Sequence, residues 1–472
     1  MAHFVTPNPV RRALLGSLAV APLVLASRSF AQPRLEFTPE AFGARGDGRS
    51  DDSAAFARLA DAVNRAGGGT IRFAPQAVYR VGTARPQSYP PPPLLELRGC
   101  HRPVVIEGNN AVMRSTANAW FGTFGPDGRP TRRKMPNLLQ AEIRVPYIYM
   151  ILLERCGDIT IRNLELDGGI GSAVIGGQYG DTGWQMAMIG LALVDNGGNE
   201  LVENLWSHHH GLDGLLINGP DRRGAQRTVR KVRCEYNGRQ GCSIVGGHGY
   251  RFENCRFAHT GRSRVSSAPG AGMDIEAEGG KRVSDVVLTN CEFVDNAGPG
   301  LLADQGPSSD VTVRGSLLVG TTTWSAWPRK PGFVFERCTF VGAVVNAFGS
   351  ENPREAARFV DCTFTDSAGQ GSNEKVYGSG GEVPIVDLGG SYAAGKNVAF
   401  VRSTFRLTRG GRLPWTLGSI YEDVTMEQAS SQVAYPRGIY RGRNVLNGPI
   451  DTVSSRNEGV MIFNGKTLRA GS

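Results

Sequence analysis

Three carboxylates stand at alternate positions in the stretch GAGMDIEAEGG (270–280): Asp274, Glu276 and Glu278. Met273, Ile275 and Ala277 fill the places between them. A period of two describes a strand with one acidic and one apolar face. Backbone positions two residues apart on a strand are separated by about 6.6–7 Å, a gap that a sugar ring or a cation can bridge. Crowded carboxylates repel, so at least one holds its proton more tightly, and an acid and a base then stand side by side. Glycoside cleavage uses such a pair. A bound Ca²⁺ would instead keep the acids ionised. Asp274, Glu276 and Asp304 are its candidate ligands, and it is the one cofactor these residues point to. The bland alternative is a solvent-facing acidic strand paired with Arg262, Arg264 or Arg282.

Histidine is the second signal. The chain holds seven, and three are consecutive, His208, His209 and His210, just before Gly211-Leu212-Asp213-Gly214. A histidine can abstract the C5 proton of a uronate while a second group protonates the leaving oxygen. His210 and Asp213 are expected to serve this way with Asp274 and Glu276, and His248 is a further catalytic candidate at a later turn. Arginines can neutralise a substrate carboxylate. Glu278, Asp304, His208, Arg262 and Arg264 are therefore expected to bind substrate. Trp184, Trp324 and Trp327 are expected to stack on sugar faces.

These residues need a scaffold, and the cysteines reveal it. FENCRF (252–257), LTNCEF (288–293), FERCTF (335–340) and FVDCTF (359–364) share one pattern: an apolar residue, two variable positions, Cys, a variable residue, Phe. IRNLEL (161–166) puts Leu164 in the Cys slot, and VTVRGSLL (311–318) and FVRSTF (400–405) put Ser316 and Ser403 there. KVRCEY (231–236) fits with Cys234 in the slot and Lys231 leading. From Cys234 to Cys362 the successive spacings are 21, 36, 47 and 24 residues. One short strand recurring every 20–25 residues, with longer insertions, predicts a parallel β-helix of stacked coils. Cys and Phe share parity and should form two interior ladders. Asn163, Asn254 and Asn290 should stack at a turn. The eight cysteines are expected to be mostly reduced and buried, and no Cys-x-x-Cys pair announces a thiolate metal site.

Aligned on a recurrent glycine, Gly214, Gly241, Gly272 and Gly300 fall in register. Leu216, Ser243, Asp274 and Leu302 should then form one outward column. Asn218, Val245, Glu276 and Asp304 should form the next.

The stretch FGARGDGRSDDSAAFARLADAVNRAGGGTIRFAP (42–75) carries a helix pattern at Phe56, Leu59, Ala60 and Val63. Ser50 is expected to cap it, Asp51 and Asp52 to favour its positive end, and Gly67 to end it. This stretch closely resembles the N-terminal signature of the pectate-lyase-like right-handed β-helix superfamily. That superfamily includes polysaccharide lyases, polygalacturonase-like hydrolases, uronan epimerases and phage tailspikes. The resemblance implies an all-β, single-stranded right-handed parallel β-helix with an N-terminal α-helical cap, and leaves the reaction open. Polygalacturonase-like enzymes carry Asn-Thr-Asp, Asp-Asp, Gly-His-Gly and Arg-Ile-Lys motifs. LDG (212–214) and GHG (247–249) echo two of these, without an Asp-Asp pair between them or an Arg-Ile-Lys after them. The Asp-Pro-His motif of the related epimerases is also absent.

The expected organisation is a leader over 1–31, a cap over 32–82, coils over 83–410 with insertions near 115–147 and 321–332, and C-terminal coils or a cap over 411–472. Arg11 and Arg12 precede a modest apolar run, and Ser29-Phe30-Ala31 offers small residues for cleavage, which reads as an export signal. VRRALL resembles a twin-arginine signal except at Val10. A periplasmic or secreted protein is expected, with no membrane span. The formal charge of +9 falls to +6 once the three leader arginines are removed. So mild an excess suits an acidic polysaccharide and does not argue for nucleic acid. The favoured expectation is an enzyme that cleaves or remodels an extracellular uronic-acid-containing polysaccharide by β-elimination. Its alternatives are a glycoside hydrolase using Asp274 and Glu276, and a non-catalytic glycan-binding surface protein. The protein is expected to be a monomer or a tailspike-like homotrimer.

Overall fold

A computed structural model of the chain describes residues 35–82, 90–115, 119–135, 142–179, 185–369 and 375–469. The expected leader and Trp184 lie outside these residues. Strands stack in parallel register from coil to coil, and each coil contributes to three sheets. The first sheet runs through Tyr149–Glu154, Ile189–Val194, Asp213–Asn218, Gln240–His248, Ala271–Ile275, Leu301–Ala303 and Ala326–Pro328. The second contains Arg227–Arg230, Tyr250–Glu253 and Val286–Thr289, and the third Arg233–Glu235, Arg256–Ala258 and Glu292–Val294. The architecture is an all-β parallel β-helix, as the rung pattern predicts. Among the described residues no helix is long and apolar enough to cross a membrane.

Local chemistry explains the corners. Between the second and third sheets the chain turns on a single residue with positive φ: Asn163 (57°), Asn204 (51°), Asn254 (54°), Asn290 (53°) and Asp361 (54°) are examples. Asn and Asp tolerate this conformation better than most side chains. Their amides also bond between coils, Asn204 Nδ2 to Asn163 Oδ1 at 2.9 Å and Asn290 Nδ2 to Asn254 Oδ1 at 3.4 Å. The expected Asn stack is present and includes Asn204.

The slot after this turn points inward. The Cys255 and Cys338 thiols donate to Val229 O and Val313 O at 3.4 and 3.3 Å. Ser403 Oγ donates to Phe359 O and accepts from Cys362 N at 3.2 and 3.1 Å. Small polar residues recur there because they bridge one coil's backbone to the next. All eight cysteines are buried and free. Cys234 departs from the expected alignment. It lies opposite Phe257, and Val232 stands in the slot beside Cys255.

Two aromatic ladders fill the interior. Phe335, Phe359, Phe400, Tyr421 and Tyr440 stack at 5.0–5.3 Å along the second sheet. Phe340, Phe364 and Phe405 stack at 4.6–4.8 Å along the third.

The helix Ser53–Ala66 packs at the N-terminal end, with Phe56, Leu59, Ala60 and Val63 buried. Phe56 meets Phe73 and Tyr79 edge-on. Gly67 ends the helix at φ 73°, as expected. Ser50 does not cap it, because Ser50 lies in the strand Asp47–Asp51. Asp52 takes the cap position, yet its buried carboxylate turns back to accept from Arg45 N and Gly46 N. Asp51 Oδ1 accepts from Ser53 N at 3.0 Å.

The expected interruption at 321–332 is not one, since Ala326–Pro328 is a regular rung of the first sheet. Residues within 115–147 contribute to a small separate sheet, where Trp120–Gly122 pairs with Glu142–Arg144 and Val174–Ile175. Parallel coils do not stop at 410. They continue to Val460–Phe463, where Lys466–Arg469 returns antiparallel.

Candidate active site

The outer face of the first sheet gathers the carboxyl groups. Register places Leu216, Ser243, Asp274, Leu302 and Trp327 side by side on successive coils. The glycines that precede them allow the strands to begin hard against the third sheet. A Cβ on Gly241 would lie 2.4 Å from Gly272 O and 3.3 Å from Phe257 Cβ.

The side chains then pair diagonally between coils. Ser243 Oγ donates to Asp213 Oδ2 at 2.7 Å, and Gln240 Nε2 donates to Asp274 Oδ2 at 2.8 Å. Both aspartates are almost fully buried, at 1 and 2 % exposure. Burial pushes Asp274 up to about 7, Glu276 and Asp304 adding to the effect through their charge. Burial likewise raises Asp213 to about 6, against the pull of Arg239 and the Ser243 bond. Glu276 is raised by burial and by the charge of Glu278.

Arg239, Gln240, Ser243, Val245, Asp274, Glu276 and Glu278 line one narrow crevice. Gln240 Oε1, Asp274 Oδ1 and Arg239 Nε are buried there without a protein hydrogen-bond partner, as is Asp213 Oδ1 behind Ser243. Glu278 is exposed at the rim.

The second outward column is broken. Glu276 N donates to Ile244 O and Asn218 pairs with Gly246, so Val245 is a bulge and not a partner of Asn218. The bulge turns Val245 into the crevice wall. Trp327 continues the first column and meets Trp324 edge-on at 5.0 Å. Lys330 acts on Glu276 through its charge.

Several expected site residues stand elsewhere. His210 is fully buried. Its Nδ1 bonds Tyr147 Oη at 2.9 Å and its Nε2 lies 3.2 Å from Leu166 O. Burial lowers its proton affinity to about 3. In later coils Asn237 and Asn296 occupy the same interior corner, bonding backbone as His210 does. His210 is therefore a neutral corner residue and not an exposed base. His248 ends the strand Gln240–His248, about 16 Å along it from Ser243. There it bonds Ser284 Oγ at 2.9 Å and lines a different depression with Arg227 and Arg251. His208 is buried on the third sheet beside Glu165. Arg262 is held by Asp295 at 3.1 Å and by Thr321 at 3.0 Å, and Arg264 is exposed on the same connecting turn. Arg239 and Gln240 were not singled out by sequence reasoning. Their signal is positional: they precede Gly241, which is in register with the glycine before Asp274.

Residues 149–327 match the family model described as right handed beta helix region. The fold of the chain is that of a right-handed parallel β-helix. The solved structures the chain is similar to share little sequence with it. The A-module of mannuronan C-5 epimerase AlgE6 from Azotobacter vinelandii is 15% identical with a TM-score of 0.40, covering 90% of this chain and 99% of that one. The tailspike gp49 of Acinetobacter baumannii bacteriophage Fri1, a capsular polysaccharide depolymerase, is 14% identical with a TM-score of 0.41, covering 93% and 65%. An exopolygalacturonase from Thermotoga maritima is 11% identical with a TM-score of 0.32, covering 92% and 93%. No curated protein matches this β-helix.

Proposed function

We propose that this β-helix is an exported enzyme that cleaves an acidic polysaccharide by acid–base hydrolysis on the outer face of its first sheet. The observation that carries the reading is the pairing of Asp274, raised to about 7 by burial, with the more open Glu276 in one crevice. A carboxyl that keeps its proton near neutrality can give it to a leaving glycosidic oxygen. Glu276, nearer to water, can activate the attacking water or take the nucleophile's place. Asp213, through Ser243, is a positioning residue and a reserve of negative charge. Arg239 and Lys330 supply the cations that an anionic sugar seeks. Trp327 lies on the same column, where a ring can stack on a sugar face. The leader motif supports export.

A second reading is β-elimination, favoured by Arg239, which stands in the crevice where it can neutralise a uronate carboxylate. Glu276 would then abstract the C5 proton, since His210 is interior and His248 lies at the other end of its strand.

The test is incubation of purified protein with a panel of polyuronates and neutral glycans, following reducing ends and unsaturated-uronate absorbance together. Hydrolysis yields reducing ends alone, and elimination yields both. Asp274→Asn and Glu276→Gln should each lower the rate by about 10²–10⁴-fold. Full activity in both folded variants refutes the site. Glycan retention without either product converts the reading to a binding protein.

A further inference from the structure

The outer face of the third sheet carries a second cluster that cleavage does not use. Asp167 ends the strand Ile159–Asp167, and His208 lies directly opposite it on the next coil. His209 follows at φ 54°, and its ring comes back beside that of His208. The two Nδ1 atoms are 2.7 Å apart, and His208 Nδ1 is 3.8 Å from Asp167 Oδ1. One ligand atom from each of the three residues lies within 4.8 Å of the others.

The cluster is held in place from behind. His208 packs on Trp206 at 4.1 Å, and His209 stacks on Tyr236 at 5.1 Å. Arg114 Nε donates to Asp167 Oδ2 at 2.8 Å, and Gly169 N donates to Asp167 Oδ1 at 3.0 Å. His208 Nε2 lies 3.3 Å from Glu165 Oε1. A carboxylate only accepts, so that nitrogen carries the hydrogen and the Nδ1 lone pair faces the cluster. Two facing Nδ1 atoms at hydrogen-bond distance need one proton between them, or a cation in its place.

We propose that Asp167, His208 and His209 bind one divalent first-row metal ion of the zinc, cobalt and nickel class. Two imidazole nitrogens and one carboxylate oxygen suit an ion of intermediate softness. They do not suit Ca²⁺, which takes six to eight oxygens. Glu165 fills the role of the carboxylate that orients a metal-bound histidine. On entry of the ion the hydrogen that His209 carries on Nδ1 is exchanged through solvent to its Nε2, which frees the Nδ1 lone pair for the metal. Three protein ligands leave the remaining coordination positions to water or to a further oxygen ligand.

The test uses the full chain without an oligohistidine tag, stripped with chelator and titrated with Co²⁺. One equivalent should bind with visible d–d absorption and survive gel filtration, measured by elemental analysis. Glu165→Gln should weaken binding by roughly 10–100-fold. His209→Ala and Asp167→Asn should abolish the absorption with an unchanged circular dichroism spectrum. Asp274→Asn should bind as the parent does, which separates this site from the carboxylate crevice. Absence of bound cobalt in the parent, or undiminished binding in both ligand variants, overturns the proposal.

Discussion

Replacing Asp274 by Asn should change how stability depends on pH. Burial moves the Asp274 carboxyl from its ordinary 3.8 to about 7 in the folded chain. At about 1.4 kcal/mol per tenfold change, that displacement corresponds to about 4 kcal/mol. The sign follows from the direction. A raised affinity means the folded state holds the proton and the unfolded state releases it between these two values. The contribution is therefore complete below pH 3.8 and is lost as pH rises through about 7. Between pH 5 and 8 the loss is roughly 2–3 kcal/mol. Asn keeps an oxygen for Gln240 Nε2 and cannot ionise, so it removes this dependence. Asp213, raised to about 6, remains in the variant as a shared background. The assay is the denaturant midpoint of parent and Asp274→Asn at pH 5, 6, 7 and 8. The variant should gain on the parent as pH rises, by roughly 2–3 kcal/mol over the whole range. Parallel pH curves would refute the buried, proton-holding Asp274 and with it the acid in the proposed cleavage.

Phe359 is fully buried between Phe335 and Phe400, both at 5.0 Å. Phe359→Ala should cost about 3–5 kcal/mol in denaturant unfolding. Gly241→Ala forces a Cβ to within 2.4 Å of Gly272 O. It should destabilise by about 1–3 kcal/mol and lower any glycan-cleaving rate, because the displaced strand carries Ser243 and Gln240. Equal stability of that variant would mean the strands can separate without cost.

The coil architecture was legible because it repeats. An inward Phe, an inward Cys or Ser and a left-handed Asn recur in fixed order, and each answers one local need: stacking, backbone bridging or a tight corner. The helix was legible from Phe56, Leu59, Ala60 and Val63. Its N-terminus was not, because Asp52 spends its carboxylate on Arg45 and Gly46 and no pattern announces that reversal. The column through Asp274 was legible because the glycines fix register. The next column was lost at Val245, where a bulge leaves no compositional trace. His210 misled because its type is chemical while its position is structural. Asn in the equivalent corners of later coils was the available clue. Trp327 looked like part of a loop because Pro328 and Pro331 follow it, yet parity puts it on the sheet.

A parallel solenoid has a growth problem that a closed barrel lacks. Every coil exposes a row of amides and carbonyls that is a ready template for another coil, from this chain or from a second copy. Here the strand Lys466–Arg469 lies antiparallel on Val460–Phe463 with all four of its residues exposed. A neighbour that arrived in the parallel sense would meet this strand with reversed polarity and with cationic side chains at its ends. At the opposite pole Asn64 of the helix spends its amide on Glu96 O and its oxygen on Arg98 N. Fibre formation would thus require one of these two terminators to be peeled away first, which makes the hairpin at 460–469 the segment whose deletion should let the coils polymerise.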